Sequence, residues 1–284
     1  MNNLKTFRLY LILIIFSVFS SSCIKKKNTS QPDIIEKFIH ISHTRTKSNP
    51  NIDPTIEKMS FSDFSMILLG GDLAALTSEN IETMKHVDSI FNLGNANTLW
   101  SLGNHDYTDL QLIKSFTHRP TFYSVNKNNI TFIILDTQES RSNICGEQLQ
   151  LLKNIADTIK NSKYLIILHH KLIWMYNYNE LEKLADSISN AEIGDCFYCI
   201  NPNNFYKDVY PLLIKVKNKG IEVICLAGDI GFKVKKFEYI TSEGIYFLAS
   251  GINSGKSDNK VLIFEHNISK NTLSWDFKLL SDFE

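Results

Sequence analysis

The sequence predicts an α/β protein in which two stacked β-sheets are flanked by helices. Three observations carry this. Four apolar runs, at 66–69, 98–102, 164–168 and 223–226, each end in a short polar segment and read as buried strands. Stretches with helical spacing separate several of them. The C-terminal stretch 234–280 alternates like β structure.

The elements follow in order. A first strand is expected at 38–42, ending at His43, and a polar stretch at 46–58 leads to the run at 66–69. Residues 80–91 read as a helix before the run at 98–102. Two strands are expected at 122–125 and 130–135, and the polar Asn126-Lys127-Asn128-Asn129 between them marks a hairpin connection. Leu149, Leu152, Ala156 and Ile159 then recur at helical spacing. A second amphipathic helix is expected at 203–219, with Phe205, Val209, Leu212 and Val216 on one side. Gly220 is its stop, and Pro211 is expected to kink it. In the tail, strands are expected near 245–249, 261–265 and 273–279.

The segments that end the four apolar runs carry the chemistry: Gly70-Gly71-Asp72, Gly103-Asn104-His105-Asp106, His169-His170 and Gly228-Asp229. Asp, Asn and His offer small oxygen and nitrogen ligands, and glycine lets the backbone turn sharply beside them. Open α/β sheets gather their sites at the carboxyl ends of strands, so residues scattered along this chain can meet in one cleft. That is the layout of a metal-centred hydrolase.

The order and wording of these segments resemble the calcineurin-like metallophosphoesterase family over residues 35–284. The usual signature runs DxH, GDxx, GNH[DE], a lone His and GHxH, and Gly103-Asn104-His105-Asp106 matches its piece in full. The resemblance implies a four-layer αββα sandwich of two mixed sheets flanked by helices. It also implies roles. Asp72 would bridge two metals, and Asn104 and His169 would bind the second. His105 would contact the phosphate or protonate the leaving group, with Asp106 orienting it.

Two motifs depart from the pattern. Ser42-His43-Thr44-Arg45 stands where the family has Ser-Asp-x-His, and Gly228-Asp229-Ile230-Gly231 stands for Gly-His-x-His. The first metal's ligands are thus replaced by His43, Arg45 and Gly231. The second metal keeps Asp72, Asn104 and His169, with Asp229 as a competent exchange. The implied cofactor is one tightly bound divalent ion, Mn, Fe or Zn, to which His43 can add a ligand. Arg45 has no lone pair to coordinate with, but it brings fixed positive charge and a bidentate fork for phosphate. It either stands in for the missing metal's charge, in a catalytic role, or pairs with Asp72 or Asp229 in a salt bridge. His170 either supports the site or flanks the strand end, and Lys171 faces either substrate phosphate or solvent. Trp174, Tyr176 and Tyr178 either wall a pocket or simply pack. His40, His86, His118 and His266 match no motif.

Lys+Arg and Asp+Glu both number 30, so no basic excess tracks a nucleic-acid backbone and nucleic acid is not an expected partner. Residues 1–23 read as a targeting segment: Lys5 and Arg8 precede an apolar stretch at 9–19, too short to span a bilayer. Ser20-Ser21-Ser22-Cys23 resembles a bacterial lipobox, with Cys23 as the lipidated mature N-terminus, although Ser20 departs from the usual aliphatic residue. Ordinary signal-peptidase cleavage nearby is the alternative. Residues 24–34 read as a tether that can sit against anionic headgroups. In an oxidising compartment, Cys196-Phe197-Tyr198-Cys199 reads first as a structural bridge, with Cys145 as another partner and Cys225 as a buried thiol. A redox pair or half a zinc site are weaker readings. The sequence therefore points to a phosphate-ester hydrolase, a mono- or diesterase, anchored by lipid in the bacterial envelope on its periplasmic side. Its substrate would be a small-molecule, lipid or glycan phosphate ester. The competing reading is an inactive lipoprotein that binds a phosphorylated or glycan ligand.

Overall fold

The computed structural model describes residues 33–284; the expected leader, Cys23 and most of the expected tether lie outside the described residues. Consecutive apolar positions give strands buried on both faces, the signature of parallel pairing under helical cover. β1 (Ile35–Ile41) pairs in parallel with β2 (Met66–Leu69), and β2 pairs in parallel with β3 (Thr98–Trp100). Two antiparallel strands, β10 (Lys260–Asn267) and β11 (Thr272–Leu279), complete this sheet in the order β11-β10-β1-β2-β3. The second sheet runs β4-β5-β6-β7-β9-β8, built from Tyr123–Lys127, Ile130–Ile134, Tyr164–His169, Glu222–Ala227, Tyr246–Ser250 and Lys236–Ile240 for β4, β5, β6, β7, β9 and β8. Strands β5, β6, β7 and β9 are parallel.

The two sheets stack on an apolar layer that includes Phe38, Leu68 and Phe264 from one and Phe132, Ile166 and Leu226 from the other. Helices α1 (Pro54–Lys58), α2 (Ile81–Phe91) and α3 (Leu110–Thr117) cover the outer face of the first sheet. Helices α4 (Gly146–Thr158) and α7 (Tyr210–Lys217) cover the second, with short α5 (Asn179–Glu182) and α6 (Ala185–Ile188) beside them. This is the expected four-layer αββα sandwich of mixed sheets.

Local chemistry explains the details. Asn80 caps α2 by accepting from the Thr83 amide at 2.9 Å. The hairpin between β4 and β5 is tighter than expected: β4 runs to Lys127, and Asn128 and Asn129 alone turn the chain, both at positive φ (46° and 65°) as a two-residue twisted turn requires. The helix expected at 203–219 is divided. A π-turn at Phe205–Val209 precedes α7, and Pro211 falls in the first turn of α7, where the helix changes from π to α geometry. Helices α1, α3, α5 and α6 fall where no helix was expected, and β8 lies within the stretch 234–280 expected to be β-like without a strand of its own. Cys196 and Cys199 form the expected bridge, whereas Cys145 and Cys225 are free. Trp174 is fully buried and stacks on Phe247 at 4.9 Å, so the loop after β6 serves packing at that position.

Candidate active site

The carboxyl ends of β1, β2, β3, β6 and β7 converge where the two sheets meet. Close approach of backbones makes this possible. A Cβ at Gly228 would overlap the Gly70 carbonyl, and one at Gly103 would overlap Asp72 Oδ1. His170 ties the sheets together, its Nδ1 donating to the Gly70 carbonyl at 2.7 Å.

Asp72 sits at the centre, buried and at φ 58°, a left-handed backbone unusual for a non-glycine residue. The Asp106 carboxylate holds it there. Oδ2 of Asp106 accepts the amides of Asp72 (2.7 Å) and Gly103 (2.8 Å), and Oδ1 accepts the Leu73 amide (3.0 Å) and the Thr77 hydroxyl. Burial and the neighbouring Asp72 charge push the Asp106 carboxyl up, against these four donors. The expectation that Asp106 orients the His105 ring is corrected here, because both its oxygens are taken. His105 Nδ1 is held instead by the Ala75 carbonyl at 2.5 Å. Its ring is part of the cleft wall.

The two oxygens of Asp72 face different sets of partners. Oδ1 accepts the His105 amide at 3.0 Å and stands 3.6 Å from His170 Nε2, which lies 3.9 Å from Asp229 Oδ1. Oδ2 stands 3.5 Å from His43 Nε2 and 3.6 Å from Arg45 Nε. Burial opposes the charge on Asp72, but His170, His43 and His105 bring its pKa below the ordinary carboxylate value. Burial raises Asp229, while it holds His43 neutral, down to about 3. Burial works against a charge on His170 too, yet Asp72 and Asp229 outweigh it and lift that ring. The cleft above these groups has a volume of about 180 Å³, and Asn104, Tyr198 and Phe232 also line it.

Three sequence expectations change. His169, expected as a ligand, faces the other way: its ring packs edge-on against Trp174 at 4.7 Å in the layer under the outer helices, and its Nδ1 donates to the Lys171 carbonyl. The next residue, His170, is the one that faces Asp72 and Asp229. Lys171 is wholly buried, its Nζ donating to the Phe197 carbonyl at 2.8 Å inside the disulfide loop. Burial lowers its pKa to about 8, and neither phosphate nor solvent reaches it. Asn190, which no motif flagged, donates its backbone amide to the Asp229 carbonyl at 3.0 Å and lines the cleft. Only a tertiary contact identifies it. Gly231, at φ 130°, lies against the Ile252 carbonyl, 2.5 Å from where a Cβ would sit.

The types of donor gathered here, two carboxylates, an imidazole and an amide, are those that suit one divalent ion. Among the described residues no group of three His, Cys, Asp or Glu side chains is placed as it stands to hold a metal ion. The Asp72–His170 and His170–Asp229 spacings of 3.6 and 3.9 Å are somewhat wider than the ~3.4 Å between two tetrahedral ligands ~2.1 Å from a shared ion, so a bound ion would draw these side chains inward. His170 Nε2 and Asp229 Oδ2 are buried without a hydrogen-bond partner. With His170 Nδ1 donating to a carbonyl, the ring would turn an Nε2 lone pair toward the carboxylates once a metal displaced the proton they favour, the arrangement usual for a metal-bound histidine. Asp72, Asp106 and Asp229 also put three carboxylates in one buried shell against the Arg45 guanidinium and the His170 ring, a crowding that a cation would relieve.

No protein-family model matches the sequence, and no curated protein matches it. Solved structures do. A dimetal phosphatase from Danio rerio is similar at a TM-score of 0.54 and 9% sequence identity, covering 81% of this chain and 95% of that one. The chain has the metallophosphoesterase fold. A phosphopantetheinyl hydrolase from Mycobacterium tuberculosis aligns at a TM-score of 0.43 and 11% identity over 77% of this chain and 90% of its own.

Proposed function

We propose that this chain is a metal-dependent hydrolase of phosphate esters, exported and held at the bacterial envelope by a lipid on Cys23. The observation that carries the catalytic part is the divided Asp72 carboxylate, with His170 and Asp229 on one oxygen's side and His43 and Arg45 on the other's. Asp72, Asn104, His170 and Asp229 would hold one divalent ion. When bound, such an ion stabilises charge on phosphoryl oxygen and acidifies a coordinated water. The remaining work falls to the chain. His105, fixed through Nδ1, presents Nε2 to the cleft to protonate the leaving oxygen. Arg45, with its side chain 20% exposed, balances Asp72 through Nε and extends its fork toward a bound phosphate. His43, neutral and donating Nδ1 to the Ile252 carbonyl at 3.2 Å, offers its Nε2 lone pair beside Asp72.

Metal analysis on dialysed protein, paired with turnover of a panel of phosphate mono- and diesters, tests the reading. One metal per chain with turnover supports it; two tight metals would overturn the assignment of Arg45 to the first metal's place. Metal binding without any turnover would favour the alternative, an inactive lipoprotein that recognises a phosphorylated or glycan ligand. The Arg45–Asp72 pair is the observation that speaks for that alternative. The anchor has its own test: Cys23→Ser should release the protein from membranes or leave its precursor unprocessed, and a variant that fractionates like the parent would exclude lipidation.

A further inference from the structure

Beside the catalytic cleft, and sharing Arg45 and Phe232 with it, lies an open groove of about 920 Å³. Lys47 and Lys58 line it, together with His86 and Glu57. The last two neutralise each other in part: His86 Nε2 meets Glu57 Oε1 at 2.9 Å. Neither lysine joins an ion pair among the described residues, and both are exposed. Arg45 spans the boundary, its Nε facing Asp72 Oδ2 in the cleft while its carbon lies 5.4 Å from the centre of the Phe232 ring. Positive charge is thus concentrated here on a chain whose overall balance is zero.

We propose that this groove is a second anion site, and that the preferred substrates are phosphate esters whose alcohol part carries another phosphate-like group. This rests on the reading of the cleft as a phosphoesterase site. With the reacting phosphate at Asp72 and Arg45, the rest of the ester passes Phe232, which is 48% exposed, and enters the groove. There Lys47 and Lys58 meet its distal charge with ion-paired hydrogen bonds that an uncharged alcohol part cannot match. The groove is wide and open, so the spacing between the two anions is governed by the substrate's chain length.

Non-hydrolysable probes separate the possibilities. Butylphosphonate and butane-1,4-diphosphonate differ only in the distal group, and binding of each to the metal-loaded protein can be followed by calorimetry. The diphosphonate should bind about tenfold more tightly, the gain of one charge-assisted contact. The double variant K47A/K58A, altered only at exposed side chains, should lose that preference and keep its affinity for butylphosphonate. Equal affinity for both probes, or a preference that survives in the double variant, overturns the groove assignment and leaves the phosphoesterase reading standing. If neither probe binds, the phosphoesterase reading fails and takes the groove with it.

Discussion

Replacing Asp106 with Asn tests how the site is held together. The carboxylate has four donors, two on each oxygen, three of them backbone amides of the loops that carry Asp72 and Asn104. An Asn side chain has one oxygen. Turned so that this oxygen keeps the Asp72 and Gly103 amides, it points its NH₂ at the Leu73 amide, which is left buried and unpaired. A stranded buried donor costs ~1–3 kcal/mol, and the two surviving bonds lose their charge assistance. Relief from burying a charge offsets part of this, for a net loss of about 2 kcal/mol. At ~2–4 °C per kcal/mol for a domain of this size, the melting temperature should fall by roughly 4–8 °C. Unfolding in urea, followed by circular dichroism with EDTA present, reads the apoprotein without metal linkage. The midpoint should move to lower urea with the slope unchanged. Metal affinity should also weaken by ~10–100-fold, because Asp72 loses its fixed backbone. A variant as stable as the parent, yet much slower in turnover, would refute this account and return Asp106 to the role of orienting His105.

Three further outcomes follow from the geometry. His170→Ala should lose both metal and turnover, whereas His169→Ala should keep the metal and lower stability by opening a cavity beside Trp174; the reverse pattern would restore His169 as the ligand. His105→Ala should retain metal and lose ~10²–10⁴ in rate if it is the general acid, and an unchanged rate would remove it from the chemistry. Burial lowers the pKa of His266, far from the cleft on β10, so the unfolded chain binds its proton first as pH falls. The parent should therefore lose stability relative to His266→Gln as pH drops below ~6.5, and parallel stability curves would contradict this.

Much of the architecture was legible because the strands are short apolar runs that stop at polar, glycine-bearing turns. The run ending at Leu69 and the helix beginning after Asn80 fell where they were expected. The choice between His169 and His170 was not legible. In a half-exposed strand the polar alternation reveals which face is which, but β6 is buried throughout, so its parity is silent. Leu168 turns into the layer between the sheets, His169 turns out, and His170 turns back toward Asp72. Lys171 misled for the same reason, since a charged residue after a strand suggests solvent until the disulfide loop is seen to cover it. Asp106 carried the right type of residue in the right motif, but its partners are amides from a loop thirty-odd residues earlier, and no spacing rule reports those.

The contact between Gly231 and the Ile252 carbonyl has a consequence for redesign. Placing Asp at 43 and His at 45 would return two donors to the side of Asp72 now held by His43 and Arg45. The third, a His at 231, cannot follow by substitution, because its Cβ would stand 2.5 Å from that carbonyl on a backbone at φ 130°. Main chain at Ile252 closes that side of Gly231. A binuclear variant must bring its last donor from elsewhere, and the segment after Ile252, where Asn253 and Ser254 border the groove beside Arg45, is one place to build it.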